Sequence, residues 1–201
     1  MRCFAIMSFS FIFFTCTIQS QYWIRDARID DKKKMIDVYK KSRNFYDGSL
    51  VDTGIAMSQS ILDCLHSSID EGFAFVIESL SVGSNGQILG FLLKHRSLHA
   101  ACRHVVCGGI MAIDPNFRDE MLEIQLYQHL LEQVELHHCD VLRIEGNCPD
   151  CAVDLIALFE LCGFVCEGRR ERAVLMIGKK VVDELVFVWW NKNFDINKRY
   201  Y

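Results

Sequence analysis

The chain has 201 residues, of which 51% are hydrophobic and 24% charged, with only two prolines; this balance fits one globular domain and excludes collagen, a coiled coil and a disordered tail. Its 22 basic and 26 acidic residues leave a net charge of −4, which provides no general attraction to nucleic acid or to an anionic membrane surface.

Residues 1–20 stand apart from the rest. Met1 and Arg2 precede an uncharged run from Cys3 to Ile18 and then small and polar residues, the pattern of a secretory signal peptide or membrane anchor, although Ile18 is a poor match to the small-residue rule for a cut after Ser20. The expected organisation is a signal-like or anchor segment over 1–20, a domain over 21–195 and a tail over 196–201.

Within the domain the hydrophobic period alternates between two and about 3.6. Tyr22 to Arg28 reads as a strand, and Asp30 or Asp31 caps a helix that runs to about Arg43 with Met35, Ile36 and Tyr39 on one side. A second helix is expected over Val51 to His66. Phe73 to Glu78 and Gln87 to Lys94 read as a hairpin around Gly83-Ser84-Asn85-Gly86, where Asn and Gly tolerate a positive φ. Val105 to Ile113 is a third long strand. Asp114-Pro115-Asn116 ends it before a helix whose Leu122, Leu126, Leu130 and Val134 form a core-facing stripe.

Val141 to Glu145 follows as a short buried strand, and Cys151 to Leu161 as a helix stopped by Gly163. Strand character resumes at Val165 to Cys166, and Arg172 to Ile177 with Val181 to Trp190 reads as a final hairpin of strongly apolar strands. The order βααβββαβαββ implies an α/β fold with a mixed central sheet, its parallel part carrying helices on both faces.

Ten cysteines, eight of them beyond residue 20, are an even set that permits a disulfide framework, yet several sit in apolar runs where a free thiol packs as a small hydrophobe. Cys148-x-x-Cys151 with Cys162-x-x-x-Cys166 invites a zinc reading. The gap between the pairs is short and the second pair straddles a helix end and a strand, so no metal is expected. No N-x-[ST] sequon occurs in the chain.

Ile24-Arg25-Asp26-Ala27-Arg28 with its helix, the hairpin ending Gly86-Gln87-Ile88-Leu89-Gly90-Phe91, the block GGIMAIDPNFRDEMLEIQLYQHLLEQV and the block DLIALFELCGF together resemble the GNAT superfamily of N-acetyltransferases, most of all its arylalkylamine N-acetyltransferase-like branch. The resemblance covers Ile24 to Asn191. It implies acetyl-CoA, or another acyl-CoA, in a wedge where two central parallel strands splay, here Val105 to Ile113 and Val141 to Glu145. The following helix would then point its amino terminus at the pyrophosphate, where free N–H groups and the macrodipole attract anions. The implied cofactor contacts are Ile110, Met111, Ala112 and Ile113 on the strand, Arg118, Asp119, Glu120, Met121, Leu122 and Glu123 in the phosphate loop, and Phe159 on the later helix.

That loop departs from the family pattern of Arg or Gln, two residues, Gly, one residue, and Gly or Ala. Arg118 fits, but Met121 replaces the first glycine and Glu123 the second small residue; a carboxylate about 4 Å from a phosphate charge costs roughly 4 kcal/mol at an effective dielectric near 20, about a thousandfold in affinity. An ordinary acidic helix start accounts for the same residues. The branch's catalytic glutamate falls on Gly48, leaving Asp47 as the nearest carboxylate for the base, or as a turn residue. Phe159 takes the place of the tyrosine that protonates the leaving thiolate in many relatives; it cannot donate a proton, so it can only pack against the cofactor or the core.

Glu145 reads as a base or water holder, or as a solvated strand end. His99 and His104 are loop residues that become bases if the loop folds over the wedge, and His137-His138 complements a helix dipole. An oxyanion donor is expected from a backbone N–H near Ile110 to Ala112, with Gly108-Gly109 distorting the strand. The reading that follows is an acyl-CoA-dependent N-acetyltransferase acting on a small amine by direct attack in a ternary complex, without metal. The alternative is a catalytically inactive protein of the same fold serving as a binding or interaction module. The cofactor points to the cytoplasm, and residues 1–20 to secretion or membrane anchoring.

Overall fold

The structure is a computed structural model and describes residues 22–43, 65–80, 86–97, 99–176 and 180–195. Tyr22–Asp26 form β1, and a 3-10 turn at Ile29–Asp31 leads into α1, Lys32–Arg43. The aspartate that organises this start is Asp31, whose carboxylate accepts from the Arg28 N–H at 2.8 Å and from both Arg25 terminal nitrogens at 2.7 and 2.9 Å. Burial works against its charge, but these donors prevail and hold the carboxyl below its ordinary range. Of the second expected helix, residues 51–64 lie outside the described residues, while residues 65–70 are helical.

The expected hairpin is β2, Ala74–Ser79, paired antiparallel with β3, Ile88–Arg96. Gly83, Ser84 and Asn85 of its turn lie outside the described residues. β4 is Val105–Ile113, as expected. Asp114, almost fully buried, then accepts from the Asn116 N–H and pairs with Lys41 of α1 at 2.8 Å, so that a 3-10 turn at Pro115–Glu120 separates β4 from α2, Leu122–His137. All four stripe residues of α2 are fully buried.

β5 is Arg143–Pro149, starting two residues later than expected and running four further. α3 is Val153–Leu161, and Gly163 stops it with a φ of +80°, the left-handed backbone that glycine adopts without a Cβ penalty. β6, Val165–Leu175, is one bulged strand that joins the two expected segments, and it pairs with β7, Val181–Trp190. The apolar expectation fits β7 and not β6. β6 lies at the sheet edge, largely exposed, and its Arg169 and Arg170 pair with Asp183 and Glu184. Charge on an edge strand also guards it against pairing with another chain.

The seven strands form one mixed sheet in the order β1-β2-β3-β4-β5-β7-β6, antiparallel except for β4 with β5. α1 packs on one face with Ala74, Val76, Phe91, Leu93 and Ala112; α2 and α3 pack on the other with Phe75, Leu92, Val106, Ile113, Ile144 and Phe187. No helix among the described residues is long and apolar enough to cross a membrane. Among the described residues seven cysteines are free, and no group of three or more His, Cys, Asp or Glu is arranged to hold a metal ion.

Candidate functional site

The parallel ladder between β4 and β5 is confined to Val105 with Arg143 and Val106 with Ile144. Beyond it the strands part. The cause lies in Gly108 and Gly109, with φ of +58° and +103°, which together oppose the single residue Lys94 across the β3 ladder and form a bulge. A Cβ on Gly109 would stand 2.0 Å from the Leu93 carbonyl oxygen, so no larger residue fits this backbone.

Register decides which donors face the gap. The Asp114 N–H bonds to the Leu89 carbonyl on β3, and in an antiparallel ladder the inward and outward groups alternate. Ala112 and Ile110 therefore turn their N–H groups toward β3, whereas Met111 and Ile113 turn theirs toward the wedge. Of the stretch expected to supply an oxyanion donor, Met111 is the residue whose N–H is so placed.

At the wedge apex Lys94 crosses beneath the bulge on the α2 side. Its ammonium donates to the Glu145 carbonyl oxygen at 3.0 Å and sits 5.8 Å from the Tyr127 ring centre, with the side chain almost wholly buried. Where β4 has turned away from β5, this ammonium serves a backbone acceptor that would otherwise take a strand partner.

On the α2 side the wedge continues into a cavity of about 320 Å³ between β4, the start of α2 and α3. Met111, Met121, Glu123 and Ile124 form one wall, and Asp154, Leu155, Ala157, Leu158 and Leu161 the other. Met121, at the amino end of α2, makes no capping bond through its side chain, and the sixteen residues of α2 align their peptide dipoles toward this end. Met121 adopts the left-handed conformation, φ 55° and ψ 32°, and is 59% exposed. It thus takes the backbone form that suits a glycine at that position while keeping its side chain at the cavity mouth. Leu122 points away into the core. The side chains of Arg118, Asp119 and Glu120 lie outside the described ones; their backbone ends the 3-10 turn.

Phe159 is a core residue, stacked on Phe187 at 5.1 Å and edge-on to Tyr127 at 5.6 Å, and it does not line the cavity. Gly146 of β5 makes room for it, since a Cβ there would meet the ring at 2.4 Å. Asp47 lies outside the described residues. Ile110 and Ala112 turn their side chains to the α1 side, Met111 and Ile113 to the α2 side. Glu145 also faces the α1 side, ion-paired with Arg143, whose guanidinium lies 5.6 Å from the ring centre of the half-exposed Trp190.

His99 and His104 sit before β4, at the closed end of the wedge. His99 starts a 3-10 turn, and the His104 carbonyl accepts from the Leu142 N–H at 2.8 Å, tying the two parallel strands together. His138 does not fit the expected role of a charged helix end, because burial and then Arg96 push its pKa down and favour the neutral ring on Phe73. Sequence reasoning missed Lys94, His95 and the α3 wall. The available signal was Lys94-His95-Arg96, three basic residues closing an apolar strand opposite a glycine pair.

No protein-family model and no curated protein sequence matches the chain. Its structure is similar to ribosomal-protein-S5-alanine acetyltransferase from Vibrio fischeri (TM-score 0.70, 14% identity, 87% of this chain and 96% of that one). It is also similar to a GCN5-related N-acetyltransferase from Kribbella flavida (TM-score 0.68, 14% identity, 85% and 98%) and to a putative acetyltransferase from Salmonella typhimurium solved with acetyl-CoA (TM-score 0.69, 14% identity, 86% and 95%). The chain has the GNAT acetyltransferase fold.

Proposed function

We propose that the protein is an acyl-CoA-dependent N-acetyltransferase acting on a small primary amine. The observation that carries this reading is the wedge: β4 and β5 part after Val106 and Ile144 while the Met111 and Ile113 N–H groups turn into the gap. Backbone donors fixed on a paired strand just beyond the bulge need no reorganisation when charge develops on a carbonyl oxygen.

The residues fit the two ends of the cofactor unequally. The apolar walls from Met111, Ile124, Leu155 and Leu158 suit a pantetheine arm, and the amino end of the α2 dipole suits a pyrophosphate. Glu123 and Asp154 on the same cavity oppose that negative charge. When bound, acetyl-CoA supplies an acyl thioester. Met111 and Ile113 would hold its carbonyl, the start of α2 with Arg118 its phosphates, and Phe159 the core behind β5.

On the α1 side, the Glu145 carboxylate, shared with Arg143, faces an incoming ammonium, and the half-exposed Trp190 ring offers an aromatic surface near it. These two support an acceptor of the arylalkylamine kind. Asp47 remains a candidate for a further carboxylate at this site. The cofactor's supply places the reaction in the cytoplasm, and mass spectrometry of the natural N-terminus tests this: a mature chain starting near Gln21 with paired cysteines would place it outside.

The function is tested by thermal shift with acetyl-CoA up to millimolar concentration, and by release of free thiol from acetyl-CoA with phenethylamine or tryptamine as acceptor. Stabilisation by RT ln(1 + [L]/Kd) with acceptor-dependent thiol release is expected. No shift and no turnover would overturn the proposal. Saturable stabilisation without turnover of any primary amine would favour a binding module, the reading to which Glu123 and Asp154 lend support.

A further inference from the structure

We infer that His95 accepts the proton of the acceptor amine, an inference that rests on the acyl-transfer reading above. Direct attack needs a neutral nitrogen, so a group on the α1 side of the wedge has to deprotonate the ammonium.

Alternation along β3 puts His95 on that side, because Leu93, two residues earlier, packs in the α1-side core. In register it stands opposite Cys107 on β4, and the pairing of Val106 with Ile144 puts Glu145 next in the same row. The imidazole Nδ1 lies 3.0 Å from the Arg96 carbonyl oxygen. A carbonyl only accepts, so Nδ1 carries the hydrogen and Nε2 of the neutral ring keeps its lone pair. That edge lies over the bulge: a Cβ on Gly108 would meet Nε2 at 2.6 Å and Cε1 at 2.9 Å. The ring is half-buried, so solvent still reaches it to carry the proton away.

Neighbouring groups are less suited. Glu145 is ion-paired with Arg143, and its charge attracts the ammonium rather than taking its proton. The Cys107 thiol is pushed up by burial and by the Glu145 carboxylate, so it stays protonated and has no site for the proton. Glu71 accepts from the Arg96 N–H at 2.7 Å, and Lys94 projects to the opposite face. In the step assigned to His95, an N–H bond of the ammonium breaks and its electron pair stays on nitrogen. The proton binds Nε2, and the resulting imidazolium gives it up to water.

The test pairs His95→Gln and His95→Ala with nitrogen-resolved NMR of the histidines in the full chain. We expect kcat/KM for phenethylamine to fall by roughly 10²- to 10⁴-fold in both variants, to lose the acidic limb of its pH profile, and to recover in part for His95→Ala with added imidazole. Thermal stabilisation by acetyl-CoA should be unchanged. In the resting protein the NMR signals should show the hydrogen on Nδ1. The opposite tautomer, or a folded His95→Gln that turns over at the wild-type rate and pH profile, would overturn this inference while leaving acyl transfer in place. A wild-type protein that neither binds acetyl-CoA nor acetylates amines would remove both.

Discussion

Met121→Gly isolates the departure in the loop that the family resemblance assigns to phosphate. Read from sequence alone, position 121 lies in the first turn of a helix, where glycine costs about 1 kcal/mol relative to a good helix former. The structure reverses the sign. Met121 has φ 55° and ψ 32°, and a left-handed residue with a Cβ costs roughly 1–2 kcal/mol, which glycine does not incur. The greater freedom of glycine in the unfolded chain takes back about 0.5–1 kcal/mol, and a 59% exposed side chain gives up little packing when removed. The net is a gain of about 0.5–1 kcal/mol, or a Tm increase of roughly 1–4 °C for a domain of this size. Thermal unfolding of wild type, Met121→Gly and Met121→Ala measures it. Alanine keeps the Cβ and should give no comparable gain; a glycine variant that melts lower than wild type, or an alanine variant that gains as much, would refute the conformational argument.

Glu123→Gln should tighten coenzyme A binding by about tenfold, less than the unscreened figure because the side chain is half exposed, and the gain should shrink as salt rises; calorimetry at two salt concentrations reads both. Gly109→Ala should destabilise strongly or yield insoluble protein, since its Cβ would collide with the Leu93 carbonyl, and an alanine variant with wild-type Tm would show that the bulge is not as described. Lys94→Met should cost about 1–3 kcal/mol by leaving the Glu145 carbonyl without its ammonium donor, read as a lower midpoint in urea. Asp31 and Asp114 are both held below the ordinary aspartate value of about 3.9, so their contribution is complete above about pH 4 and fades as pH falls through the lower folded values; urea midpoints between pH 6 and pH 2 should drop less steeply for Asp31→Asn with Asp114→Asn than for wild type.

Most of the fold was legible because its signals are local. The stripe Leu122, Leu126, Leu130 and Val134 has the helical period, Gly163 ends its helix by backbone necessity, and Asp114-Pro115 marks where β4 ends. β6 was harder, because its Arg-rich middle breaks the strand pattern and an edge strand needs no buried face. The site was legible at the level of strands and less so at the level of side chains. Lys94 reads as a strand-end charge until β3 is paired with β4, whereupon it lies opposite Gly108 and Gly109 and reaches Glu145 on a third strand. His95 depends on the same pairing and on a carbonyl contact that fixes its tautomer. Phe159 shows the reverse case: the resemblance left it to pack against the cofactor or the core, and the ring fills the hollow left by Gly146 in the core.

The two ends of the candidate site differ in how strongly the chain has committed to them. At the apex the fold bears real costs, two glycines inside a strand, a buried ammonium and two strands that give up their ladder after Val106. Each is unfavourable in isolation, and together they make one thing, a gap into which the Met111 and Ile113 N–H groups project. At the mouth the favourable elements are generic, the amino end of a helix dipole and apolar walls, and Glu123 and Asp154 add charge of the wrong sign for phosphates. On the proposed reading, affinity for an acyl-CoA comes chiefly from the pantetheine arm and the acyl group. It follows that removing the phosphates should cost this protein less binding than an uncompensated helix-terminus site predicts, so a short acyl-pantetheine thioester should compete with acetyl-CoA well. If coenzyme A instead binds far more tightly than pantetheine, the Arg118 loop outweighs the two carboxylates and the mouth is the stronger half of the site.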